Sequence, residues 1–228
     1  MSLGNLHVIK QSNKVCSASV IFLHGSGDTG QGLLNWVKFL IGDAATHPHI
    51  KFYFPTAPLR PYTPIQGELS NVWFDRYSIT PDVPEHQETL ESAGEAIKNL
   101  IEDISKKDNV PLNRIVVGGF SMGGALALHT AYRFVPGLAG VFTLSSFLNN
   151  NSALLNNAKH LDIPLYMCHG DRDSMVPISW GQKTYRDLTQ LGIKADFITI
   201  KNTMHELKKH EILGLYEWLQ KIVPLQET

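Results

Sequence analysis

Val116-Val117-Gly118-Gly119-Phe120-Ser121-Met122-Gly123-Gly124-Ala125-Leu126-Ala127-Leu128 is the stretch whose reading decides the fold. The valines close a strand, Gly119 to Gly123 spells G-x-S-x-G, and Gly124 to Leu128 opens a helix. A serine forced into so tight a strand-to-helix turn needs small neighbours on both sides, because its backbone is strained and a Cβ two residues away crowds it. The turn lifts the Ser121 hydroxyl above the sheet. It also puts the next backbone N–H groups at a helix N-terminus, where they can hold developing negative charge. The competing reading is a glycine-rich corner with an incidental serine. It is the weaker one because a strand precedes the motif and a helix follows it.

Working outward, short β-branched or aromatic runs alternate with longer helical patterns, the sign of a mostly parallel sheet covered on both faces. The strand candidates are Ala18 to His24, Lys51 to Pro55, Arg114 to Phe120, Leu138 to Leu144, Pro164 to His169 and Ala195 to Ile200, with an extra edge strand near Leu6 to Lys10. Between Glu85 and Ser105, Leu90, Ala93, Ile97, Leu100, Ile101 and Ile104 recur at spacings of three and four, which is one apolar helix face. Further helices are expected over Gln31 to Ile41, Met122 to Arg133, Ile178 to Leu191 and Glu206 to Ile222. The segment Thr56 to Val83 has five breakers, Pro58, Pro61, Pro64, Gly67 and Pro81, and no sustained period. Long irregular loops are often functional, so part of the substrate surface is expected there, at Ile65, Leu69 and Trp73.

No repeat, low-complexity tract or Gly/Ser linker divides the 228 residues, so residues 1–228 are read as one domain. With a formal net charge of -1 there is no basic stripe to track phosphates, which argues against nucleic acid as a partner. Cys16 and Cys168 lie in or beside apolar runs and read as small buried hydrophobes rather than a disulfide, which suggests a reducing compartment. The N-terminal residues lack a signal pattern, and no apolar run approaches the roughly 20 residues of a membrane span. A cytoplasmic protein is the expectation.

A serine hydroxyl is a poor nucleophile unless a base takes its proton, so a histidine is expected on a later strand-to-helix loop. His205 fits, following the strand that ends at Ile200 and directly preceding the closing helix. His129, His160 and His210 read as packed or solvated side chains. The acid should fall between nucleophile and base, in His169-Gly170-Asp171-Arg172-Asp173-Ser174-Met175-Val176-Pro177, and spacing does not decide between Asp171 and Asp173. For the oxyanion, the backbone N–H groups of Ser26, in the turn after the first long strand, and of Met122 are expected to serve. Gly25, Gly27 and Gly30 also fit G-x-G-x-x-G, but no acid-tipped second strand follows as a dinucleotide site requires. His47 and His49 form a pair without a cysteine or carboxylate cluster, so a solvated loop is preferred to a metal site. Neither a metal nor another cofactor is expected.

Five ordered motifs together resemble the acyl-protein thioesterase and lysophospholipase family. They are Phe22 to Gly30, Phe54-Pro55-Thr56-Ala57-Pro58, Trp73-Phe74-Asp75, Gly118 to Ala125, and His169-Gly170-Asp171 with Asp173, Val176 and Pro177. The resemblance implies an α/β-hydrolase fold over nearly the whole chain and a serine esterase or thioesterase acting on a small ester or an acylated substrate. It implies that Asp173, the second aspartate of the turn, is the acid. Asn71 to Arg76, Pro81 to His86 and Met122 resemble the lysophospholipase-like branch, since the thioesterases usually have Gln at the position of Met122. Those relatives also carry a cysteine for palmitoylation where this chain has Ser2. Short acyl chains are therefore expected, with removal of palmitoyl groups from proteins, lysophospholipase activity, and a non-catalytic binding protein on the same fold as alternatives.

Overall fold

The computed structural model describes residues 2–226, and its framework is a seven-stranded sheet in the order β1-β3-β2-β6-β7-β8-β9. These strands are β1 (Leu6–Ile9), β2 (Ala18–Leu23), β3 (Ile50–Pro55), β6 (Ile115–Phe120), β7 (Gly140–Leu144), β8 (Leu165–Gly170) and β9 (Ala195–Ile200). All neighbours pair in parallel except β1, which runs antiparallel along β3 at one edge. Strands buried on both faces read as unbroken apolar runs. In β2, Ile21 and Leu23 enter one core while Val20 and Phe22 enter the other.

The helices α1 (Gly30–Ile41) and α6 (Lys209–Ile222) cover the Val20/Phe22 face. The opposite face carries α2 (Gln87–Asp108), α3 (Met122–His129), α4 (Ala153–Asn157) and α5 (Ile178–Gln190). On α2 the spacing seen in the sequence becomes a buried stripe of Leu90, Ala93, Ile97, Ile101 and Ile104. β2 leads to β3 on one side, and the chain then returns to place β6 on the other side of β2. The order of the sheet therefore reverses at β2/β6, and a crevice opens beyond the C-terminal ends of those strands.

Several boundaries differ from the sequence reading. The final helix begins at Lys209, so three residues separate it from His205, and its first turn is closed by the Glu211 carboxylate accepting the Lys208 N–H. The helix after Ser121 widens into a π turn over Thr130–Phe134, and α4 was not foreseen because five residues show no period. Within Thr56 to Val83 a small hairpin forms, β4 (Leu59–Pro61) with β5 (Leu69–Asn71), turning at Gln66 and Gly67, both of positive φ. His47 and His49 are not in a solvated loop. They are 6% and 2% exposed, and His49 Nε2 donates to the Val223 carbonyl, because the segment packs under the end of α6. Burial, with His49 beside it, lowers the pKa of His47 to about 4. Among the described residues no group of three or more His, Cys, Asp or Glu is disposed to hold a metal ion, and both cysteines are free.

Candidate active site

Ser121 sits at φ 53°, ψ -119°, between β6 and α3, a backbone state that costs energy for any residue with a Cβ. Its surroundings hold it there. The Ser121 N–H donates to the Leu144 carbonyl at 2.9 Å, and its own carbonyl accepts the Ser146 hydroxyl at 2.7 Å. The flanking glycines are required by close approach: a Cβ on Gly119 would lie 2.4 Å from the Gly123 carbonyl carbon, and one on Gly123 would lie 2.4 Å from the Leu23 carbonyl oxygen. That second contact draws the helix against the end of β2. Leu23 pairs with Gly119 in the sheet register, so the Ser26 turn and the Ser121 turn are neighbours.

His205 and Asp173 reach Ser121 from the far side of the sheet. Gly170 and Ile200 are paired at the ends of β8 and β9, and the two loops beyond are stitched by Asp171 N–H to Ile200 O and Arg172 N–H to Thr203 O, both at 3.0 Å. A Cβ on Gly170 would stand 2.3 Å from the Thr203 carbonyl oxygen, so only glycine lets the loops approach. His205 Nδ1 is then 2.7 Å from Asp173 Oδ2, and His205 Nε2 is 3.1 Å from Ser121 Oγ. A carboxylate can only accept here, so the Nδ1 proton faces Asp173 and Nε2 offers its lone pair to the serine hydroxyl.

Asp173 Oδ1 accepts the N–H groups of Met175 and Val176 at 3.0 and 2.8 Å, which fixes the carboxylate plane. Burial pushes the carboxyl upward in pKa. The hydrogen bonds from His205 and Val176 outweigh it and hold the group below the ordinary carboxylate range. Asp171, by contrast, is exposed, and its carboxylate makes no hydrogen bond among the described residues. On the other rim, neither the N–H of Ser26 nor that of Met122 has an acceptor among the described residues, and both residues line the cleft beside Ser121. The arrangement can activate a hydroxyl, accept its proton, and offer two free donors to an oxyanion.

A second serine–histidine pair has different chemistry. Ser152 Oγ and Glu85 Oε1 approach the same nitrogen, His129 Nε2, at 3.2 and 3.0 Å, so the ring cannot pass a proton from one to the other. His129 Nδ1 is buried without a partner, Ser152 and His129 are 0% and 1% exposed, and the Ser152 hydroxyl caps α4 by accepting the Leu154 N–H. The group ties Glu85, just beyond the Thr56 to Val83 segment, to α3 and α4 out of reach of solvent.

The cleft above Ser121, about 260 Å³, is lined by Tyr62, Arg76, Ile79, Phe120, Phe147, Met175 and Val176 among others. Three sequence expectations are corrected. Trp73 is fully buried and braces the Ser26 turn from behind, its indole N–H donating to the His24 carbonyl at 2.8 Å. Ile65 and Leu69 are 40% and 63% exposed on the hairpin and are not among the residues that line the cleft. Tyr62, from the same loop, does line it. Met175 and Val176 could have been found from their place beside Asp173, whereas Phe147 follows β7 with no local signal, and Arg76 gave only a charge at the end of an apolar run.

The chain matches the model of a family described as phospholipase/carboxylesterase over residues 4–223. It is 45% identical over 211 residues to lysophospholipase-like protein 1 of Mus musculus, covering 91% of this chain and 88% of that protein. It is 35% identical to acyl-protein thioesterase 1 homolog 2 of Dictyostelium discoideum, covering 97% and 100%. The crystal structure of acyl-protein thioesterase 2 from Zea mays superposes with a TM-score of 0.80 at 25% identity, covering 96% of this chain and 99% of that one.

Proposed function

The chain belongs to the phospholipase/carboxylesterase family of serine hydrolases, and from that premise we propose that Ser121, His205 and Asp173 cleave carboxylic esters or thioesters of short acyl chains. The observation that supports the assignment is the continuous hydrogen-bonded path from Asp173 through His205 to Ser121 at the floor of a cleft. Ser121 Oγ attacks the substrate carbonyl carbon as its proton passes to His205 Nε2, and the oxyanion is held by the N–H groups of Ser26 and Met122. The imidazolium, steadied by Asp173, then protonates the departing alcohol or thiol. Water enters, gives a proton to His205 and attacks the acyl-serine, releasing the carboxylic acid and restoring the hydroxyl. No helix among the described residues is long and apolar enough to cross a membrane.

The size of the cleft supports the short-chain preference. At about 260 Å³ it falls below the roughly 300–1,000 Å³ typical of pockets that enclose drug-sized ligands. A palmitoyl chain is longer than such a cleft encloses, and each methylene left in water forgoes about 0.8 kcal/mol. The test is kcat/KM over a series of p-nitrophenyl esters and matching thioesters. A maximum between roughly two and eight acyl carbons is expected, where binding gain per methylene still operates. A value rising steadily to palmitoyl, measured below its aggregation limit, would return the protein to removal of long acyl groups.

A further inference from the structure

A buried cation faces the cleft without an ion-pair partner among the described residues. Arg76 is 7% exposed, its Nε is buried without a partner, and its guanidinium makes no ion pair or hydrogen bond among the described residues. The nearest carboxylates in sequence and strand pairing are committed elsewhere. Asp75 accepts the Thr63 N–H and hydroxyl and the Arg76 backbone N–H, while Glu85, paired with Arg76 by a backbone bridge and near enough to favour its charge, spends its hydrogen bonds on His129 and the Ala153 N–H. Asp28, also on the cleft, is exposed and accepts the Thr29 N–H.

What holds Arg76 are two aromatic rings, with the guanidinium carbon 5.0 Å from the centre of Phe74 and 4.6 Å from that of Phe147. Aromatic rings attract a guanidinium through their π faces but offer its N–H donors no oxygen lone pair. The two rings therefore hold the cation but leave its N–H donors unpaired, and a guanidinium is suited to two-point binding of a carboxylate or phosphate. The Tyr62 hydroxyl, lining the same cleft near the Ser26 side chain, is also buried without a close hydrogen-bond partner among the described residues. A buried charge with no direct hydrogen-bonded partner is costly to a fold, and a substrate that brings the opposite charge recovers part of that cost on binding.

We propose that Arg76 and the Tyr62 hydroxyl form a recognition site for an anionic group, carboxylate or phosphate, carried by the ester whose carbonyl Ser121 attacks. This rests on the esterase reading above and makes the preferred substrate a small anionic ester rather than a neutral one. Arg76 acts on specificity, and Ser121, His205 and Asp173 act on the bond.

Matched substrates test it. On the acyl side, mono-p-nitrophenyl succinate is compared with p-nitrophenyl isocaproate, in which an isopropyl group replaces the carboxylate. On the alcohol side, p-acetoxybenzoate and p-acetoxyphenyl phosphate are compared with p-isopropylphenyl acetate. The measured quantity is the anionic-to-neutral ratio of kcat/KM in wild type, Arg76→Lys and Arg76→Gln, in which a general loss of activity cancels. In at least one arm the ratio should fall about tenfold or more in Arg76→Gln, mainly through KM, and less in Arg76→Lys. The responding arm tells which side of the ester carries the charge, and the benzoate–phosphate comparison tells which anion. Should Arg76→Gln fail to fold, wild type alone decides: phenyl phosphate or benzoate should inhibit neutral-ester hydrolysis competitively, and isopropylbenzene should not. Ratios unchanged within twofold, or no inhibition by either anion, overturn the inference while leaving the esterase reading in place. A wild type that hydrolyses none of these esters overturns both.

Discussion

Replacing Asp173 by Asn changes one atom, and the neighbouring backbone dictates the consequence. The Oδ1 position accepts two N–H groups, from Met175 and Val176 at 3.0 and 2.8 Å, so an asparagine must keep its carbonyl oxygen there. Its amide nitrogen then takes the place of Oδ2, which stands 2.7 Å from His205 Nδ1. Facing a donor, Nδ1 has to present its lone pair, and the ring proton moves to Nε2, the nitrogen 3.1 Å from Ser121 Oγ. A protonated Nε2 cannot take the serine proton. The expected loss in kcat is on the order of 10³ to 10⁴, which at about 1.36 kcal/mol per decade is about 4 to 5.5 kcal/mol of transition-state stabilisation. Purified Asp173→Asn is assayed on a short-chain p-nitrophenyl ester beside Asp171→Asn, with circular dichroism to check folding. Asp171→Asn should lose little, because its carboxylate is exposed and makes no hydrogen bond among the described residues. Asp171→Asn proving the more damaging of two folded variants would refute the reasoning.

Other outcomes follow from neighbouring parts of the structure. A fluorophosphonate probe should label wild type, and Ser121→Ala should abolish both labelling and hydrolysis; contaminant-free turnover above about 1% of wild type would place the nucleophile elsewhere. Glu211 is 1% exposed with Oε1 unpartnered, and burial, with Glu206 adding to it, raises its pKa from 4.5 to about 7. A raised carboxyl favours the folded state fully below the unfolded value and loses that advantage as pH climbs through the folded one. Urea unfolding should therefore find Glu211→Gln more stable than wild type by about 1 kcal/mol at pH 5 and on the order of 3 kcal/mol at pH 8, and a pH-independent difference would count against this. Trp73→Phe keeps an aromatic ring but shortens it and leaves the His24 carbonyl without its donor, so a loss of about 1–3 kcal/mol in unfolding free energy from the hydrogen bond, with a further cost for the void, is expected, together with a lower kcat as the Ser26 turn loosens. Unchanged stability and kcat would show that the indole N–H does not brace the turn.

What the sequence by itself determined is local or periodic. Gly119 and Gly123 around Ser121 announce the strained turn because the contacts that demand glycine are made within a few residues and against the adjoining strand. Long apolar runs announce the parallel strands because both faces of the sheet are buried, and the stripe on α2 announces a helix because one face is. His205 was legible for a related reason: it follows a strand end, and the chain order of this fold places the base last. Tertiary structure decided everything that depends on which way a side chain points and what meets it from far along the chain. Asp171 and Asp173 share one turn, and only the loop pinned beyond β9 presents His205 to the second of them. Trp73 is buried and Ile65 and Leu69 stay on the exposed hairpin while Tyr62 and Arg76 line the cleft, because an irregular segment has no period from which to read its inward face. The cation of Arg76 lies between Phe74 and Phe147, residues separated by more of the chain than any local pattern spans, and burial of that charge beside the cleft exists only once those distant segments pack together.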